Sequence, residues 1–91
     1  MKKIETLAET AALMSSNDYK ERFIAEYAQL EIRLDKLTAM LEKLDKGELN
    51  FTPICPREVF NEQISGMVSY LNALRNRAEI EGIDISGGGE E

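Results

Sequence analysis

Histidine is absent from the 91 residues, and cysteine occurs once, at Cys55. Without an imidazole there is no base for a Ser–His or Cys–His pair, and the usual structural zinc and haem ligand sets are incomplete. A lone cysteine forms no internal disulfide, which is the usage of a reducing compartment. Long apolar runs are missing too. No stretch of about 18 apolar residues exists, so no membrane span is expected. Met1-Lys2-Lys3 leads into Glu5 and Glu9 instead of an apolar h-region, so a secretory signal peptide is not expected. Basic residues are scarce: eleven stand against seventeen acidic ones, leaving −6 at pH 7. Duplex nucleic acid is therefore an unsuitable partner, because phosphate binding rests on basic surface. A small anionic ligand stays open, since a compact local cluster can bind one.

Catalysis has little to stand on. Glu31 and Asp35 are spaced i,i+4, which on a helix reads as a solvated acidic face before it reads as an acid/base pair. Glu58 and Glu62 suggest a ferritin-like metal bundle only until its Glu-x-x-His motif is sought and no His is found. Cys55 precedes a helix start, but no His exists to act as its base. The sequence shows no P-loop and no GxGxxG, and Gly87-Gly88-Gly89 opens no helix. A non-enzymatic protein without cofactor or metal is expected.

What is present is helical periodicity, and the length allows a single domain over residues 1–85. In residues 3–14, Ile4, Leu7, Ala8, Ala11 and Met14 fall on one face of a short helix. Ser15-Ser16-Asn17-Asp18 breaks it, and Asp18 with Glu21 has capping-box spacing, with Ser16 and Asn17 as alternative caps. Residues 18–46 carry the strongest signal. Phe23, Tyr27, Leu30, Leu34, Leu37, Leu41 and Leu44 alternate by four and three, an unbroken a/d seam along a helix of about 43 Å. Gly47 is its natural stop. Pro53 and Pro56 interrupt the next segment, a loop whose Leu49, Phe51 and Ile54 are expected to fold back over the end of the molecule. Pro56 suits the first position of a third helix, 56–81, in which Phe60, Ile64, Met67, Leu71, Leu74 and Ala78 continue the pattern. Gly82 should end it, Ile83 and Ile85 should pack back, and residues 86–91 read as a flexible tail.

The fold class expected is all-α: an antiparallel hairpin of two long helices plus a short N-terminal helix. Such a hairpin buries one stripe per helix, and a core this thin hardly offsets an ordering cost of about 1.5 kcal/mol per residue. Ile24, Ile32, Met40, Val59, Val68 and Tyr70 lie off the seam without an obvious partner. Assembly into a helical oligomer, a dimer or larger, follows as an expectation. A monomeric three-helix bundle covered by the N-terminal helix is the alternative.

An antiparallel hairpin places Tyr19, Lys20 and Arg22 beside Arg75 and Arg77, with Arg33, Lys36 and Tyr70 further along the same half. Six of the eleven basic residues and several aromatic rings thus gather in one half of an acidic protein. Rings stack on bases and cations meet phosphates, so the combination suits nucleotides. The competing reading puts Phe23 and Tyr27 in the core and pairs Lys20, Arg22 and Arg33 with Glu21, Glu26 and Glu31 as surface charge.

The order of residues in 19–83 resembles a known family. Tyr19-Lys20-Glu21-Arg22, Glu26-Tyr27, Leu30, Leu34, Lys36-Leu37 and Met40-Leu41 resemble its first long helix. Phe51-Thr52-Pro53 and Cys55-Pro56 resemble the loop of one branch. Gln63, Met67, Tyr70-Leu71, Leu74, Arg77 and Ile80-Glu81-Gly82-Ile83 resemble its second long helix. This is the family of small helical bacteriophage proteins first catalogued from crAss-like phages, which includes the anti-CBASS cyclic-oligonucleotide sponges. The resemblance implies helical hairpins assembled as hexamers, trimers of dimers, that sequester cyclic di- and trinucleotide immune signals in the cytoplasm of an infected bacterium. It implies that Tyr19 stacks on a base and Lys36 meets phosphate in a cyclic-dinucleotide pocket between protomers. Thr38 and Arg77 would serve a separate cyclic-trinucleotide pocket. Related sponges take signals of the cyclic ADP-ribose type, and the ligand class extends to these. Residues 3–14 are an addition to the family pattern, placed to cover or remodel the Tyr19 pocket. With Arg22 from the basic cluster, the candidate ligand-binding residues are Tyr19, Arg22, Lys36, Thr38 and Arg77. The second functional reading is a phage inhibitor or assembly factor that binds protein through exposed apolar faces at Ile24, Ile32 and Val68.

Overall fold

The computed structural model of the chain describes residues 4–86. Among these residues there are three helices and no strand: α1 (Leu7–Met14), α2 (Tyr19–Asp45) and α3 (Arg57–Glu81). The long axis of 42 Å is close to the length of α2 alone, about 40 Å at 1.5 Å per residue. The start of α2 meets the end of α3, where Tyr19 bonds to Glu81. The end of α2 meets the start of α3, where Arg57 pairs with Asp45 at 3.0 Å. Helix α1 packs on α2 and makes no contact with α3.

The helix ends follow local chemistry, with shifts from the expected positions. Helix α1 begins at Leu7 instead of residue 3. Thr6 caps it, its hydroxyl accepting from Glu9 N while the Glu9 carboxylate accepts from Thr6 N, a complete capping box. At α2 the N-cap is Asp18, whose carboxylate accepts from Lys20 N at 2.9 Å. Glu21 does not close a box there, because its carboxylate takes the Ser16 hydroxyl. Pro56 is the N-cap of α3 instead of its first helical residue, and it supplies no side-chain bond. Its carbonyl accepts from Val59 N and Phe60 N. Gly47 and Gly82 follow α2 and α3 with φ of 71° and 70°, the left-handed conformation that costs glycine least.

The seam between α2 and α3 is buried unevenly. Phe23, Tyr27, Leu30, Leu71, Leu74, Ala78 and Ile83 form one connected core near the start of α2. Ile85 packs against it, as the pattern suggested. Towards the loop, Leu37, Leu44, Phe60 and Ile64 are half-buried, and only Leu41 is fully enclosed. The loop does not fold back as expected. Leu49 is half-buried, but Phe51 is exposed and Ile54 lies wholly in solvent.

Helix α1 presents a different face from the one anticipated. Thr10 is its fully buried residue, with Ile4, Leu7 and Leu13 half-buried, while Ala8, Ala11 and Met14 point to solvent. The Thr10 hydroxyl donates to Leu7 O at 2.7 Å and accepts from Gln29 Nε2 at 2.9 Å. Ala25 and Ala28 are buried, and on a helical projection they lie with Gln29 on the side of α2 away from Phe23 and Leu30. Small residues on that side let α1 approach closely. Ile32 is half-buried and shares a pocket with Ile4 at this face, so it has the intramolecular partner it was expected to lack. Ile24 is half-buried against the core. Val59, Val68 and Tyr70 remain exposed. No described helix is long and apolar enough to cross a membrane. The tail expected over residues 86–91 falls, from Gly87 on, outside the described residues.

Candidate functional site

Basic and aromatic side chains meet where the first two turns of α2 lie against the last two turns of α3. Tyr19, Phe23 and Tyr27 recur every four residues and so stack along one face of α2. Arg75 and Arg77 reach across from α3. The Arg77 guanidinium carbon lies 4.9 Å from the centroid of the Phe23 ring, and that of Arg75 lies 5.9 Å from the Tyr27 ring. Both are within cation–π range. Arg75 Nε also donates to the Tyr27 hydroxyl at 3.1 Å, and its Nη1 donates to Asn72 Oδ1 at 3.2 Å. The Tyr19 ring meets Phe23 edge-on at 6.2 Å.

Tyr19 is the exposed member of this array, 45% accessible. Its hydroxyl accepts from Arg77 Nη2 at 2.7 Å and donates to Glu81 Oε1 at 2.8 Å. Arg77 Nε reaches Glu81 Oε2 at 3.4 Å, closing a three-residue ring of polar contacts. The pKa of Arg77 is raised, first by its bond to Tyr19 and then by the charge and hydrogen bond of Glu81. Arg77 is a fixed cation throughout the accessible pH range in any case. Glu81 occupies the last turn of α3, which contains no basic residue. A carboxylate is disfavoured there by the helix dipole, so Arg77 and Tyr19 hold it in place.

The anticipated surface pairing of this half does not form. Arg22 Nη1 donates to Ser16 O at 2.7 Å and braces the turn between α1 and α2. Glu21 binds Ser16, Glu26 takes the Tyr70 hydroxyl, and Glu31 lies 3.5 Å from the Tyr27 hydroxyl. Among the described residues the ion pairs are Arg57–Asp45 and Arg77–Glu81.

Of the five candidate residues, one chain brings Tyr19 and Arg77 into contact and sets Arg22 one turn from Tyr19. Lys36 and Thr38 are exposed on α2. They lie 17 and 19 positions beyond Tyr19, about 25 and 28 Å along the helix. Neither Tyr19 with Lys36 nor Thr38 with Arg77 is assembled within one chain. The sequence reading did not single out Glu81, although its spacing of four from Arg77 was the available signal.

A pocket of about 250 Å³ opens elsewhere, lined by Ile4, Glu5, Glu31, Ile32 and Asp35. Three of those five residues are carboxylates, which repel phosphate. No group of His, Cys, Asp and Glu able to hold a metal ion occurs among the described residues.

A family model described as Sequestin matches residues 17–80. The chain belongs to the Sequestin family. The match takes in Tyr19, Arg22, Lys36, Thr38 and Arg77, the loop, and all but the last residue of α3. It leaves α1 and Glu81 outside. No match is found among curated proteins or among solved structures. Membership in Sequestin agrees with the resemblance to the sponge family seen in the sequence. The name denotes sequestering, which is the work of a binding protein and not of a catalyst.

Proposed function

We propose that this member of the Sequestin family binds and sequesters cyclic nucleotide immune signals, without cleaving them, as a phage anti-defence protein acting in the cytoplasm of an infected host. The observation that carries the reading is the half-exposed Tyr19 ring beside the Arg77 guanidinium at one end of the molecule. An aromatic face supplies stacking, worth about 1–3 kcal/mol per base, and the guanidinium supplies a planar donor for phosphate oxygens. The ligand class is cyclic di- and trinucleotides or a cyclic ADP-ribose type molecule.

In this reading the pockets form between copies. The separation of Lys36 and Thr38 from Tyr19 and Arg77 exceeds what one cyclic dinucleotide spans, so a helical hairpin needs a second copy to supply the far residue. Dimers, combined as a trimer of dimers, would bring Lys36 of one protomer to Tyr19 of another. The exposed Val59, Val68, Phe51 and Ile54 give such an assembly apolar surface to bury.

Calorimetry with a panel of cyclic di-, tri- and ADP-ribose nucleotides tests the proposal. Saturable heat with at least one member is expected. No heat with any member overturns it. Lys36→Glu should abolish dinucleotide binding while leaving the mass of the assembly unchanged, and retained affinity would remove Lys36 from the site.

A further inference from the structure

We infer that Glu81 is a resident stand-in for a phosphodiester, a competitor that the ligand must displace from Tyr19 and Arg77. The inference rests on the sequestering role proposed for this end of the molecule and adds to it the anion class selected there. A carboxylate is a singly charged group with two equivalent oxygens. Here Oε1 accepts from the Tyr19 hydroxyl at 2.8 Å and Oε2 faces Arg77 Nε at 3.4 Å, so the two oxygens are divided between two donors. A phosphodiester carries the same single charge on two non-bridging oxygens of similar separation. It fits the same pair of donors in the same bridging manner. A phosphomonoester brings a second charge, whereas the Glu81 carboxylate is paired here with one guanidinium, that of Arg77.

The contact is built to be exchanged. The Arg77–Glu81 bond is long, and Glu81 sits in the last turn of α3, where the helix dipole opposes a negative charge and the turn itself contains no basic residue. The Tyr19 hydroxyl stays anchored by Arg77 Nη2 at 2.7 Å when the carboxylate leaves, so the donors remain in position. Glu81 therefore keeps the site filled by a weak anion in the absence of ligand. It sets a threshold that simple anions at cellular concentration do not cross.

Two probes test this on the 91-residue chain. In the first, 3′,3′-cyclic GMP–AMP and 5′-GMP are titrated into wild type and Glu81→Gln. The amide keeps an acceptor for Tyr19 but removes the competing charge, and it relieves the clash with the dipole, so the fold is retained. The cyclic dinucleotide should bind Glu81→Gln about five- to tenfold more tightly than wild type, with little gain for 5′-GMP. Equal or weaker affinity in the variant overturns the inference while leaving the sequestering role standing. The second probe works even if no cyclic nucleotide binds. Dimethyl phosphate is titrated while the Arg77 Nε–H resonance is followed by NMR, with acetate as the comparison. The resonance should move at severalfold lower dimethyl phosphate concentration in Glu81→Gln than in wild type. No movement in either protein, or identical midpoints, contradicts the inference on its own terms.

Discussion

The two ends of the long helix pair carry the same apolar repeat and are built differently. At the end where α2 begins, Phe23, Leu30, Leu71, Leu74 and Ala78 are buried together, and Ile83 closes the bottom after the Gly82 turn. Two arginines lie over aromatic rings at its rim. At the loop end, Leu37, Leu44, Phe60 and Ile64 are half-covered, and the chain reverses through an exposed Phe51 and Ile54. That end is tied by Arg57, which bonds both Asp45 and Asn61. A heptad repeat fixes which side of each helix faces the other. It does not say how much chain is left to seal the stripe. Ile83 and Ile85 supply that seal at one end, and none of the described residues supplies it at the other.

Truncation at the two ends should therefore cost unequal amounts. Leu74→Ala, at a site only 1% exposed, is expected to lose about 2–5 kcal/mol in urea unfolding, the range for a cavity in a closed core. Leu44→Ala should lose about 1 kcal/mol in the free chain, because its side chain already meets solvent. Equal losses would show that the loop end is sealed by another copy, which sharpens the contrast into an interface. Next in size is Thr10→Val. It strips Gln29 Nε2 of its acceptor on the far face of α2 and should cost about 1–3 kcal/mol, with the loss confined to α1 in hydrogen exchange.

Gly66 offers a third handle. It lies in the interior of α3, a Cβ there would meet nothing within 4 Å, and it is not a positive-φ position. Gly66→Ala should raise stability by about 1 kcal/mol through helix propensity, a rise in Tm of about 4–8 °C for a domain of this size. A fall in Tm instead would place a neighbouring copy against that turn.

The smallest effect concerns acid. Hydrogen bonds from the Ser86 hydroxyl and backbone N–H hold the Asp84 carboxyl below its usual value of 3.8. A lowered folded-state pKa gives stability that is present above the unfolded value and lost as pH falls through the folded one. Ser86→Gly should move the Asp84 midpoint up towards 3.8 in a carboxyl carbon NMR titration, and the small stability lost with it is lost at neutral pH and vanishes below the folded-state midpoint.

How much of this was legible in the sequence depended on what each residue does. The three helices, the glycine stops at Gly47 and Gly82, and the return of Ile83 and Ile85 follow from period, capping and left-handed turns. The face of α1 did not. Apolar period favoured Ala8, Ala11 and Met14, but Thr10 turns inward because its hydroxyl can satisfy itself on Leu7 O and then accept from Gln29. A polar residue that bonds its own helix counts as core, and a hydropathy pattern gives it the wrong sign. The loop was misread for the opposite reason. Phe51 and Ile54 are apolar, but the loop, with Pro53 between them and Pro56 beyond, leaves both in solvent. At the site, the clustering of Tyr19 with Arg77 was readable from helix direction alone. The part played by Glu81 was not, because i,i+4 spacing describes a pair and the contact is a triangle through Tyr19.

The central claim is that one chain carries only part of each ligand pocket, with Tyr19 and Arg77 at one end and Lys36 and Thr38 far along α2. Native mass spectrometry in the presence of a bound cyclic nucleotide tests it most directly. Ligand should appear only on species containing two or more chains. A single 10.3 kDa chain holding the nucleotide one to one would contradict it.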